Sequence, residues 1–355
     1  ILFTGPAGTG KTFLAIEAAR RSVRNRQRTV LLCFNNLLGD WLRKETESIE
    51  VEAQKLGVAF FVGTLPSLML GIARIQVPHA ADRSFWKDQL PALAVNALLS
   101  DEIETPVFDM LLVDEAQDLL VDQYLDVMGL LLSGGLSGGH WAIFGDFERQ
   151  AIFLDPDAES GLELLRRRTD DGVFKFRLRI NCRNSLRIAE AVTITAGMSP
   201  GYSRVLQGVE STDVEPVFYR KAADQGIALQ TTVRKLLSSF RRSEIVILST
   251  RADSESCAAN VSQGIDGLVF SPYRQSVNSS EVIRYASVHA FKGLESAAIV
   301  LTDVETVDGD QAKALLYVGM SRARVQLYIL MNERVRPAYD SLLDVGLKAA
   351  LRKAY

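Results

Sequence analysis

Apolar residues recur along this chain in two rhythms. Short, mainly apolar runs bounded by turn residues predict strands at 1–4, 28–34, 57–62 and 110–113, and again at 173–178, 214–219, 245–248, 268–270, 282–288, 298–301 and 326–330. Between them lie stretches with apolar residues at helical spacing, such as 13–23 and 37–48, where Leu37, Leu38, Trp41 and Leu42 share one face. This alternation is that of an α/β protein. Residues 76–104 read as a small, mostly helical insertion, and neither an internal repeat nor a low-complexity tract breaks the pattern.

The turn between the first strand and the first helix carries the densest chemistry. Gly5-Pro6-Ala7-Gly8-Thr9-Gly10-Lys11-Thr12 fills every fixed position of the phosphate-loop pattern G-x-x-x-x-G-K-[ST]. Small residues let backbone N–H groups close round a triphosphate, and the following helix N-terminus adds positive partial charge. Lys11 then reaches the β- and γ-phosphates, and Thr12 offers its hydroxyl to Mg²⁺. The competing reading is a glycine-rich turn that binds nothing, and the strand-to-helix context argues against it.

A length of 355 residues exceeds one ordinary core and predicts about two domains. No apolar run approaches the roughly 20 residues needed to cross a bilayer, and no signal-like segment is present, so an intracellular, cytoplasmic protein without a membrane partner is expected. Cys33, Cys182 and Cys257 are odd in number and far apart, which indicates neither disulfides nor a zinc site. A net charge of −3 neither announces nor excludes a nucleic-acid groove. The basic run Arg20, Arg21, Arg24, Arg26 and Arg28 reads first as a solvated face at a helix C-terminus, with nucleic-acid contact as the alternative. The chain begins at Ile1 rather than Met, which leads us to expect residues upstream.

A second informative stretch is Met110-Leu111-Leu112-Val113-Asp114-Glu115-Ala116-Gln117-Asp118. Its apolar strand delivers acids to a C-terminal edge, where open α/β sheets place ligands. Asp114 suits the shell of Mg²⁺, and Glu115 suits the polarising of an attacking water. Alone, such a strand is weak evidence; joined to a phosphate loop about one hundred residues upstream it is strong.

With these motifs the chain resembles superfamily 1 helicases of the UvrD/Rep type, and in particular compact helicase modules attached to nuclease-related domains. The resemblance runs over nearly the whole chain in the family's motif order. Phe34-Asn35-Asn36 matches motif Ia, and Gly63-Thr64 the next DNA-contacting motif. Gly145 to Phe153 resembles motif III, Asn181-Cys182-Arg183-Asn184-Ser185 motif IV, Ser287 to Glu295 motif V, and Leu316 to Arg324 motif VI. The resemblance implies two RecA-like P-loop NTPase domains, each a mainly parallel sheet flanked by helices, at 1–172 and 173–355. Relatives carry a large accessory domain in the second lobe. Here only about thirty residues separate Arg251 from Glu281, short of a domain, so only small insertions are expected.

The resemblance further implies an ATP-dependent translocase or helicase on single-stranded or partly duplex DNA, with ATP and Mg²⁺ as cofactors. Gln150 would sense the γ-phosphate, Arg183 and Arg322 would reach it, and Glu295 would hold the ribose. Phe34 and Phe153 match positions that present rings to bases, where stacking is worth about 1–3 kcal/mol per base; Asn36, Thr64 and His289 are further contact candidates. Core packing is the alternative for each phenylalanine, and a structural role for His289. Three departures stand out. Cys182 replaces the motif IV aromatic that stacks on adenine, Phe13 stands where relatives often have Arg and is a candidate to take over that stacking, and motif III carries one extra residue between Asp146 and Gln150. A compact motor that unwinds poorly alone, with a fused or associated nuclease domain, is the expected setting. A nucleotide-dependent binding switch, an RNA helicase and a small-molecule kinase remain as alternatives.

Overall fold

The computed structural model describes residues 1–100, 107–147, 160–169, 172–198, 201–208, 214–261, 267–275 and 281–351. Two compact units emerge: Ile1–Gly5 with Lys11–Leu178, and Pro6–Gly10 with Arg179–Tyr355.

In the first unit the strands are β1 (Leu2–Thr4), β2 (Thr29–Cys33), β3 (Phe60–Thr64), β4 (Met110–Val113), β5 (His140–Gly145) and β6 (Lys175–Arg177). They form one sheet in the order β3-β2-β4-β5-β1-β6, and every pairing is parallel. Its helices are α1 (Lys11–Arg24), α2 (Asn36–Glu45), α3 (Glu47–Leu56), α4 (Leu65–Ala73), α5 (Leu90–Leu99), α6 (Asp122–Leu131), α7 (Gly135–Gly138) and α8 (Gly161–Arg167). All five residues of β2 are buried, as a strand covered on both faces requires. Val30, Leu32, Leu111, Val113 and Ile143 of the sheet share one core with Leu68 and Met69 of α4 and Leu125 and Met128 of α6. Leu90, Ala94 and Leu98 belong to that same core, so α5 within the 76–104 interval packs into the lobe.

Local chemistry sets the boundaries. The Asn35 side chain accepts hydrogen bonds from Leu37 N and Leu38 N and starts α2 at the end of β2. The stretch 37–48, expected as one helix, breaks at Thr46, which is fully buried and whose hydroxyl donates back to Leu42 O at 2.8 Å. The run 173–178, expected as the first strand of the second lobe, belongs to the first: β6 pairs with β1 in register Phe3↔Phe176, with Leu2 N bonded to Phe174 O and Leu178 N to Thr4 O. The division therefore falls after Leu178 rather than after 172.

The second unit holds a two-stranded ribbon, β7 (Ile180–Asn181) with β8 (Arg204–Val205), and a six-stranded sheet. The sheet strands are β9 (Glu215–Tyr219), β10 (Ile245–Ser249), β11 (Phe270–Pro272), β12 (Ile283–Ser287), β13 (Ser296–Val304) and β14 (Ala323–Asn332), ordered β11-β12-β10-β13-β14-β9 and again parallel throughout. The helices are α9 (Leu186–Thr195), α10 (Ala222–Leu236), α11 (Cys257–Val261), α12 (Asp310–Met320) and α13 (Arg336–Leu351). Ile245, Ile247, Val300 and Leu330 of the sheet pack with Leu229 and Val233 of α10. Each unit is thus the RecA-like layering of a parallel sheet and helices that the motifs imply. No helix among the described residues is long and apolar enough to cross a membrane.

Candidate nucleotide and nucleic-acid sites

Parallel strands point their C-terminal ends the same way, so the first sheet delivers its motif residues to one edge. The phosphate loop follows β1, Asn35 and Asn36 follow β2, Thr64 ends β3, Asp114 follows β4, and Asp146 follows β5. Because β4 and β5 insert between β2 and β1, residues distant in sequence arrive together at that edge.

Gly8 and Gly10 have φ of 77° and 81°, the left-handed region that only glycine enters without cost. Lys11 opens α1, is buried, and donates from Nζ to Gly5 O at 2.7 Å. Thr12 is half-buried beside it. Asp114 is 1% exposed, and neither of its carboxylate oxygens has a hydrogen-bond partner. Burial, and then the neighbouring Glu115 carboxylate, push its pKa from 3.8 up to about 7, while Thr12 and Lys11 pull the other way. The Thr12 hydroxyl and the Glu115 backbone N–H stand near enough to the carboxylate to lower its pKa in part. A buried carboxylate with no donor is costly unless a cation meets it. The pair Thr12 and Asp114 therefore fits Mg²⁺.

Glu115 is a non-glycine residue at φ 49°, held in the left-handed region. Its carboxylate accepts from Gln117 Nε2 at 2.5 Å, and Gln117 Oε1 in turn accepts from Asp146 N at 3.0 Å. Gln117 thus ties the acid after β4 to the turn after β5. The sequence shows Gln117 only as a motif letter, and its bridging position became visible with the sheet order. Gln150 and Phe153 lie outside the described residues.

The strand-contact candidates divide. Asn36 is exposed at the first turn of α2. Phe34 is half-buried against the first core. Thr64 is buried, and its hydroxyl oxygen accepts from Ser67 N at 3.1 Å as the cap of α4. Phe13 is 60% exposed, and its ring stands edge-on to Trp41 with centroids 6.1 Å apart. Four arginines of the basic run at the end of α1 and just past it have acidic partners: Arg20 and Arg21 pair with Glu17, Arg24 with Glu52, and Arg28 with Asp109.

In the second unit a polar network joins motifs IV, V and VI. Asn181 Oδ1 accepts from Arg183 N and Asn184 N, both at 2.9 Å, and Asn181 Nδ2 donates to Asn184 Oδ1. Asn184 Nδ2 donates to Ser321 O at 3.1 Å and Ala323 O at 2.6 Å, the carbonyls flanking Arg322. Arg183 Nε donates to Glu295 Oε2 at 2.5 Å, and Arg324 Nε lies 3.6 Å from Glu295 Oε1. Arg322 is 1% exposed; its guanidinium donates to Val318 O, Leu294 O and Ser321 Oγ. His289, just past β12, is half-buried, and burial together with Lys292 lowers its pKa below the usual 6.5.

The loop tip Pro6–Gly10 groups with this second unit. Ala7 N donates to the Tyr317 hydroxyl at 2.8 Å, Tyr202 Oη donates to Ala7 O at 2.9 Å, and Cys182 N donates to Gly8 O at 2.8 Å. A Cβ on Gly8 would meet Asn184 Oδ1 at 2.8 Å. Asn181, Asn184, Arg324, Tyr202 and Tyr317 were not among the expected site residues. The available signals were the pair of asparagines flanking Arg183 at a spacing of three and the place of Tyr317 and Arg324 within Leu316–Arg324.

Residues 283–330, from β12 into β14, match the family model described as the UvrD-like helicase C-terminal domain. This span contains both Ser287–Glu295 and Leu316–Arg324, the two stretches that most narrow the resemblance. Among solved structures, the crystal structure of Arterivirus nonstructural protein 10 (helicase) is similar over 97% of this chain and 61% of that one, at 12% identity and a TM-score of 0.45, so the chain spans about three fifths of that protein's length. No curated protein matches the chain. Residues 283–330 thus resemble the C-terminal domain of UvrD-like helicases, within the second of two RecA-like units.

Proposed function

We propose that this protein is an ATP-driven motor on single-stranded DNA. The observation that carries the reading is Asp114, a buried carboxylate with both oxygens unpartnered, next to Thr12 and Lys11. Thr12 and Asp114 would hold Mg²⁺, which when bound neutralises phosphate charge. The loop N–H groups and Lys11 bind and orient the phosphates of ATP. Glu115, aimed by Gln117, holds the attacking water and accepts its proton. Arg183 and Arg322 neutralise charge developing on the transferred phosphoryl, a contribution of roughly 10³–10⁵ in rate in arginine-finger systems. Glu295, bonded to Arg183 and near Arg324, orients that arginine as well as approaching the ribose.

Phe13 offers the exposed ring on which the base stacks. On the nucleic-acid side, Asn36 and Phe34 bind the strand at the end of β2, Thr64 aims α4, and His289, kept neutral by burial, serves as a hydrogen-bonding group. Gln150 and Phe153 retain their expected roles of γ-phosphate sensing and base stacking. A nuclease domain, fused or separate, would supply the strand separation that a motor with small insertions lacks, and RNA remains an alternative track. The test is the ATPase rate with single-stranded DNA, with single-stranded RNA and with no polymer, for wild type, Lys11→Ala and Arg322→Ala. Stimulation by DNA that both variants lose supports the motor. DNA binding without stimulation selects the binding switch instead.

A further inference from the structure

Residues 172–189 carry Lys175, Arg177, Arg179, Arg183 and Arg187 and not one Asp or Glu, in a chain whose net charge is −3. Arg183 is accounted for by the nucleotide site. The start of the run is not, and it lies on β6, the terminal strand of the first sheet. Phe174 is 74% exposed and Phe176 52% exposed, while Lys175 and Arg177 between and after them are also exposed.

Phe176 is not a stray surface ring. It stacks on Phe3 with centroids 5.5 Å apart and planes within 21°, and Phe3 stacks on the buried Phe144 at 4.9 Å and 4°. Three rings therefore form a ladder across β5, β1 and β6 that is anchored in the core and ends on an open face at the sheet edge. Two kinds of partner seek such an edge. A protein strand would pair with it, but cationic side chains on an edge strand oppose that pairing. A nucleic-acid single strand wants what is here, flat faces for its bases and cations for its phosphates.

We propose that the β6 edge is a second binding site for single-stranded nucleic acid, in which bases stack on Phe174 and Phe176 on one face of the edge while the long side chains of Lys175 and Arg177, alternating to the other face, reach round the edge to the backbone. It is separate from the track proposed above. Phe34 follows β2 and Thr64 ends β3 toward the opposite side of the sheet, and five inter-strand steps of about 4.8 Å put β6 roughly 24 Å from β3. This inference goes beyond the motor reading and does not depend on it.

The experiment compares labelled deoxythymidine strands of about 8 and about 24 nucleotides, since single sites cover about 4–16 nucleotides. Affinity is read by fluorescence anisotropy for wild type, Lys175→Glu and Phe174→Ala/Lys175→Glu, at several salt concentrations. The expected result is that the double variant binds the long strand at least fivefold more weakly, the low end for one lost stack. Its dependence on log salt should flatten by about 0.7 or more, the single-strand value for one phosphate contact. Short-strand affinity and short-strand ATPase stimulation should be unchanged, and the single variant should show the salt effect with the smaller affinity loss. Long-strand affinity equal in all three proteins overturns the proposal, as does equal weakening on both lengths. So does a wild-type dimer that the double variant dissociates without change in strand binding, which would assign the edge to a second copy of the chain. Absent ATPase stimulation with the length-dependent loss intact would sink the motor reading and leave this site standing.

Discussion

Replacing Asp114 by Asn tests the site at its most informative atom. The carboxyl titrates at about 7 in the folded protein against 3.8 as the ordinary value, with burial as the first cause and Glu115 as the second. Its folded pKa is the higher one, so between these values the folded state holds a proton that the unfolded state has released. Stability therefore falls as pH rises through this window. At 1.36 kcal/mol per pKa unit the full interval amounts to about 4 kcal/mol, and roughly 3 kcal/mol of it lies between about pH 5 and pH 8. Urea denaturation of the nucleotide-free protein in a chelator, repeated across that pH range, reads the loss directly. Asp114→Asn removes this titration and the repulsion it shares with Glu115, so the difference between the two curves reports the Asp114–Glu115 pair. The wild type should lose about 3 kcal/mol relative to the variant on going from about pH 5 to about pH 8. Magnesium with nucleotide should suppress the loss in wild type and do nothing for the variant. Parallel stability curves for the two proteins would refute both the orphaned charge and the metal role built on it.

Three further outcomes are expected. Phe13→Ala should raise the KM for ATP about twofold to twelvefold with kcat retained, from loss of about 0.5–1.5 kcal/mol of stacking, and steady-state kinetics with an unchanged KM would remove Phe13 from the base site. Gly145→Ala would place a Cβ 2.6 Å from the Phe147 ring and 2.9 Å from Gln117 Oε1, and should cost about 1–3 kcal/mol in thermal melts together with a fall in kcat as the Gln117 bridge is displaced. Asn184→Ala removes the donor to Ser321 O and Ala323 O and the acceptor for Asn181, and should destabilise the protein by about 2–4 kcal/mol by urea titration.

What the sequence made legible was chemistry that needs fixed residue types at fixed short spacing. The phosphate loop, Asp114 and Glu115 sit at single strand ends, and the strand and turn signals that frame them are local. Pairing partners are not local. The run 173–178 looks like any strand, and only its bonds to Leu2 and Thr4 assign it to the first sheet. Residues 140–145 also carry a strand signal in Trp141–Phe144, yet the motif beginning at Gly145 draws attention past it, and β5 turns out to lie between the two main nucleotide motifs in the sheet. Thr64 illustrates a different limit. A threonine before an apolar helix fits both a backbone contact and a helix cap, and the bond from Ser67 N shows the second use. Asn184 looks like a motif letter, whereas its amide ties the carbonyls on either side of Arg322.

The left-handed backbone at Glu115 has a consequence for how this protein would respond to selection. That conformation costs a non-glycine residue on the order of 1–3 kcal/mol, and the same carboxylate raises the cost of the charge on Asp114. A Glu115→Gly change relieves both at once. Laboratory evolution that rewards heat resistance alone should drift toward glycine at this position, giving up the carboxylate to which we assign the attacking water.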